Sequence, residues 1–115
     1  MSKMNEKLLI SIYNTIYTNE FNAFRSLILK HLKDLTDVDK EIIVSLLVDN
    51  DRINMLQFVF YCLNFEINTN HGWHALVSNN TRMYEWMIQE FGIDFKRKVI
   101  KLNTDFNQNN KIKLF

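Results

Sequence analysis

The chain has 115 residues, 47% of them hydrophobic, and a formal net charge of +1. This is the size of about one small domain, with apolar residues frequent enough to build a core and to argue against disorder. The absence of proline and the presence of only two glycines disfavour a turn-punctuated β-sandwich or barrel, and a single cysteine excludes an internal disulfide.

The charge is unevenly placed. Up to residue 95 there are eight basic and twelve acidic residues, and from Lys96 onward six basic residues against Asp105 alone. The body is therefore about −4 and the C-terminal segment about +5. The N-terminal stretch MSKMNEKLLISIYNTIY lacks the apolar run of a signal peptide, and no stretch reaches the ~18 apolar residues of a membrane span. The cytoplasm is the expected compartment. Heavy use of Asn, Ile and Lys resembles the products of AT-rich genomes and hints at a viral, phage or bacterial source.

In chain order, residues 6–17 carry Leu8, Leu9, Ile12, Tyr13, Ile16 and Tyr17 at helical spacing, and Thr18-Asn19-Glu20 breaks the pattern. A second helix is expected over residues 21–35, with Phe21, Phe24, Leu27, Ile28, His31 and Leu32 on one stripe. Thr36, with Asp39 three residues later, has the form of a capping box, and Asp37, Asp39 and Glu41 suit a helix N-terminus electrostatically. The third segment, residues 38–48, reads as a short inner helix, although periodicity alone also allows a strand. Asp49-Asn50-Asp51 is a turn cluster. Residues 53–63 are apolar on most sides, with helix favoured over strand, and Cys62 is expected there as a small buried hydrophobe. The polar stretch FEINTNHG ends in Gly72, and a turn and a half of helix is expected over residues 73–77. Residues 81–91 place Met83, Tyr84, Met87, Ile88 and Phe91 on one face, with Gly92 at the usual position past a helix end.

These segments form one unit written three times: a short apolar run, a polar turn, a longer apolar run and an acidic residue in an extended end. Phe24, Leu56 and Tyr84 come into register, as do Leu27, Val59 and Met87, and Asp34, Glu66 and Asp94, with steps of 32 and 28 residues. The third unit is shorter because its first helix lacks roughly a turn. NHGWHAL resembles the opening of an ankyrin repeat, with His74 where that family has Thr. MYEWMIQEFGIDF and INMLQFVFYCLNFEIN resemble its second helix and closing Gly-x-Asp segment, with Asn64 for the Gly and Glu66 for the Asp in the latter. The resemblance is strongest over residues 55–96, and the first unit lacks the glycines altogether. It implies an all-α fold, a short solenoid of about three helix–turn–helix units over residues 1–96, followed by a basic cap or flexible tail at 97–115. Another helical-hairpin solenoid and a plain α-bundle stay open.

No residue set points to catalysis. His71 and His74 with Cys62 or Glu66 lack the spacing of a zinc site. No phosphate-binding loop accompanies the carboxylates at 37–41 or 49–51, which fit caps and turns. His74 reads as a helix cap and His71 as a solvated turn residue. Neither an enzyme, a metal nor a cofactor is expected. By the resemblance, residues 37–40 and 69–74 are the turn tips nearest a partner, so Asp37, Asp39, Asn70, His71, Trp73 and His74 are the candidate partner-binding residues. Trp73 has two readings, a binding anchor or a packing residue, and Arg82 and Trp86 are left open between core and outer face.

The function expected is protein–protein binding without catalysis, as a small viral or phage factor that blocks a host defence protein in the host cytoplasm. The alternative is nucleic-acid binding through the basic C-terminal segment, and a homodimer through FVFYCLNF is a third reading.

Overall fold

The computed structural model of the protein describes residues 3–91. They form six α-helices: α1 (Lys3–Tyr17), α2 (Phe21–His31), α3 (Asp37–Asp49), α4 (Ile53–Leu63), α5 (Thr69–Val77) and α6 (Thr81–Phe91). A single 3₁₀ turn, Leu32–Asp34, follows α2. Among the described residues there is no strand, so the third and fourth segments are helices. The chain divides into two compact units, Met1–Ile67 and Asn68–Phe115. The boundary drawn from the sequence at residue 96, the basic segment and Gly92 lie outside the described residues.

The helices come in three hairpins, α1–α2, α3–α4 and α5–α6, and one turn geometry makes all three. Asn19, Asp51 and Asn79 each take positive φ, at 58°, 57° and 61°. Their amides donate to Ile16, Val48 and Leu76, and the next amides, of Glu20, Arg52 and Asn80, reach back to the Thr15, Leu47 and Ala75 carbonyls. This is a Schellman closure, in which a left-handed residue lets the last carbonyls of a helix be satisfied. Glycine usually fills the position. In this chain Asn and Asp do, being the residues that tolerate the left-handed region best after glycine. The same three residues, Glu20, Arg52 and Asn80, then start the next helix, accepting at their carbonyls from the amides of Phe24, Leu56 and Tyr84. The turns recur at the 32- and 28-residue steps read from the sequence. The shorter step has a plain cause: α3 has 13 residues and α5 has 9, one helical turn fewer.

In the first unit α1 packs on α3 and α2 on α4. Ile12, Ile16, Phe24, Ile28, Ile43, Leu47 and Leu56 are fully buried there, each contributing about 1.5–3 kcal/mol over an exposed position. Arg52 ties the two hairpins together by donating from Nε to the Ile16 carbonyl at 2.8 Å and from a terminal guanidinium nitrogen to Tyr17 at 3.1 Å. After α4, Asn64 adopts φ 58°, the conformation a glycine would take, and the chain continues into the buried Phe65 and Ile67. In the second unit Ala75, Met83 and Met87 are buried.

Five expectations are corrected. The fifth helix begins at Thr69, not at Trp73, because Asn68 caps it; Gly72 lies buried inside the helix, and His74 also lies within it and is not its cap. His71 is not a solvated turn residue; it is 1% exposed. Cys62 is exposed rather than buried, because α4 turns Met55, Leu56 and Val59 inward and Cys62 away from them. The second helix ends at His31, and the 3₁₀ turn takes over where the sequence suggested further α-helix. Arg82 is exposed, and Trp86 is half-buried, edge-on to Phe91.

Candidate partner-binding surface

The six candidate residues fall into two groups, one in each unit. Asp37 and Asp39 open α3, and Asn70, His71, Trp73 and His74 lie on α5.

Thr36 and Asp39 form the capping box anticipated from their spacing. The Asp39 amide donates to Thr36 Oγ1 at 3.1 Å, and the Thr36 amide donates to Asp39 Oδ2 at 2.9 Å. Two orphan amides are thereby satisfied, and a carboxylate sits at the positive end of the helix dipole. Asp39 is 1% exposed, and its Oδ2 is committed to the helix cap. Its negative charge also reaches α1. The Tyr13 hydroxyl is pushed above its ordinary pKa, first by partial burial and then by the Asp39 carboxylate and by Tyr17. Tyr84 is raised likewise, by burial alone.

Asp37 is exposed, and with Lys40, Glu41, Asn64, Phe65 and Glu66 it lines a cavity of about 260 Å³. Lys40 Nζ stands 5.7 Å from the centroid of the Phe65 ring, within cation–π range. The cavity lining thus carries three carboxylates, of Asp37, Glu41 and Glu66, and one ammonium.

On α5 the cap is again a box, built from different residues. Asn68 Oδ1 accepts from the amides of Asn70 at 2.9 Å and His71 at 3.2 Å, and the Asn68 amide donates to His71 Nδ1 at 3.0 Å. His71 is therefore occupied and buried, like Asp39. Asn70 and His74 are exposed, and Trp73 is half-buried.

Among the described residues no three His, Cys, Asp or Glu side chains converge as metal ligands. No described helix is long and apolar enough to cross a membrane.

The sequence reading missed a set of surface residues. Among the described residues the exposed large hydrophobics are Ile10, Tyr17, Leu29, Val38, Ile42, Tyr61 and Val77. Five of the seven sit on the first helix of a hairpin. They also recur in register. Counting back from the left-handed residue of each turn, Ile10, Ile42 and Asn70 share the ninth position, and Tyr13, Ser45 and Trp73 the sixth. Tyr17, Asp49 and Val77 share the second. None of the nine is buried. Each first helix thus carries one unburied stripe, rich in apolar and aromatic side chains.

No protein-family model matches the chain, and neither does any curated protein or solved structure.

Proposed function

We propose that the protein is a non-catalytic binding module that engages another protein through the unburied stripes of α1 and α3 in its first unit. The observation that carries this reading is the concentration of exposed Ile10, Tyr17, Val38 and Ile42 on α1 and α3, which pack on each other. Clustered exposed apolar side chains mark interaction surfaces, whereas scattered ones do not. Asp37, Asn70, Trp73 and His74 keep their role as contact residues. Asp39 and His71 leave that set and act as helix caps.

The ankyrin-like reading accompanies this proposal. Its support is the residue pattern over 55–96 together with three hairpins closed by one turn, with α1 on α3 and α2 on α4. A viral or phage origin and inhibition of a host defence protein by steric occlusion form the finer part of the proposal, supported by size and composition.

The uneven charge favours one alternative, nucleic-acid binding by the basic segment from Lys96 onward. A tagged pull-down from the source cell separates the two. The whole chain and a chain ending at residue 95 are compared with nuclease present throughout, and captured proteins are identified by mass spectrometry. One stoichiometric protein kept by both forms supports the binding module. Loss of every captured protein on truncation or nuclease treatment transfers the function to the basic segment.

A further inference from the structure

We infer that the partner segment received by the α1–α3 face is basic and amphipathic, which rests on the binding reading above and gives the chemistry of its partner. The segment lays apolar side chains on the exposed row of α3, and the end of one lysine or arginine side chain enters the cavity beside that row. Val38 and Ile42 are exposed and four residues apart, so they share one line along α3. Asp37 and Glu41 are exposed too, and each precedes one of that pair. They form a second line, about 100° round the helix from the first. An apolar row and a carboxylate row thus run side by side over the same turns. On α1, the helix packed on α3, Ile10 and Tyr17 add exposed apolar surface.

The carboxylate row opens into the cavity of about 260 Å³ that Glu66, Asn64, Lys40 and Phe65 complete. Small-molecule sites run to about 300–1,000 Å³, so a space of this size suits the end of one side chain. Its three carboxylates outnumber its one ammonium, and Lys40 Nζ already stands 5.7 Å from the Phe65 ring centroid. Asp37 and Glu66 make no ion pair among the described residues.

The charge along α3 points the same way. Its exposed charged side chains are Asp37, Glu41 and Asp49, all acidic, while its one cation, Lys40, is half-buried. On α1 the exposed charges at Glu6 and Lys7 cancel. Charges at the edge of an apolar contact steer the encounter and reject like-charged partners more than they add affinity. An apolar segment carrying carboxylates meets repulsion here, and one carrying lysine or arginine meets attraction. The cavity alone names no partner, nor does the apolar row; their side-by-side placement on one helix selects a segment that has both properties.

The probes are two synthetic amphipathic peptides of equal length, one of leucine and lysine with its leucines on one helical face, the other with glutamate for every lysine. Each is titrated into the ¹⁵N-labelled whole chain at about 20 mM and about 200 mM salt, and amide shifts are followed. The lysine peptide is expected to shift residues 37–42 and 66 most, and to bind at least about tenfold more tightly than the glutamate peptide at low salt, with the gap narrowing at high salt. Glu66→Lys alters an exposed residue outside any helix and is expected to weaken the lysine peptide at least about threefold. Glu85→Lys, the same change of charge on α6, is expected to leave its affinity within about twofold. The spectrum of each variant reports its fold directly. Equal binding of both peptides at these residues would overturn the basic chemistry and leave an apolar binding surface standing. No binding by the lysine peptide, shifts confined to other residues, or equal weakening by the two variants would overturn it too, with the binding reading judged separately by partner capture with Ile42→Asp. Concentration-dependent shifts at residues 37–42 without peptide would assign the face to a second copy of the chain and overturn it as well.

Discussion

Arg52 Nε donates to the carbonyl of Ile16 at 2.8 Å, joining residues 36 apart in the chain. Ile16 is in the last turn of α1, which has no basic residue of its own there. Arg52 supplies the missing positive charge from the next hairpin, where it also closes the α3–α4 turn and starts α4. One side chain thus satisfies two helix-end carbonyls and fixes the register between hairpins.

Replacing Arg52 with Ala is therefore expected to destabilise the first unit by about 1.5–3 kcal/mol, the range for hydrogen bonds from a charged donor. Arg52→Lys is expected to recover only part of the loss, because an ammonium cannot present the planar fork that reaches both the Ile16 and Tyr17 oxygens. Urea unfolding followed by circular dichroism measures both. Equal stability of all three chains would show that the contact contributes nothing.

The three turns give a graded expectation. Asp51→Gly keeps the left-handed conformation without strain and is expected to leave stability within about 1 kcal/mol of the native chain. Asp51→Val places a β-branched residue at φ 57° and is expected to cost about 1–3 kcal/mol. The same pair of changes at Asn19 and at Asn79 is expected to rank in the same order, since all three turns share one hydrogen-bond pattern. Thermal melts of the six variants check it.

Alkaline pH probes the contact between α1 and α3. Tyr13 has a raised pKa in the fold, from burial first and the Asp39 charge second. Its neutral form is the one the fold favours, so its contribution is fully present below the unfolded tyrosine value of about 10 and is lost as pH rises through the higher folded value. Tyr13→Phe is expected to flatten the stability profile above about pH 10 without altering it near neutrality. A profile that falls as steeply in the variant would place the alkaline sensitivity elsewhere, with Tyr84 the next candidate.

Much of the architecture was legible because local chemistry and packing agree. Thr36 with Asp39 announced the start of α3, and the bounds of α4, Ile53–Leu63, followed from a polar turn on one side and Asn64 on the other. The repeat register was legible because one turn type recurs at the same distance from Phe24, Leu56 and Tyr84. What stayed hidden has physical reasons too. The start of α5 was missed because its box uses Asn and His in place of the usual Ser or Thr with Glu or Gln, and because Gly72 reads as a turn. Cys62 sits in a run that is apolar all round, so its outward position is set by the packing of α4 and not by neighbours in sequence. The first-helix stripe was missed for a related reason: Tyr17, Val38 and Ile42 look like core residues until burial shows that they are not.

The most direct test of the binding reading compares Ile42→Asp on α3 with Tyr61→Asp on α4, using the whole chain as bait under nuclease treatment and native spectra to confirm folding. Both positions are exposed, at 40% and 54%, so neither change empties the core. A charge at the centre of a buried contact typically costs more than about 2 kcal/mol of affinity. The expected result is that Ile42→Asp lowers capture of the protein partner at least about tenfold while Tyr61→Asp leaves it intact. Equal capture by Ile42→Asp, or loss with Tyr61→Asp alone, would contradict a binding surface on the first helices.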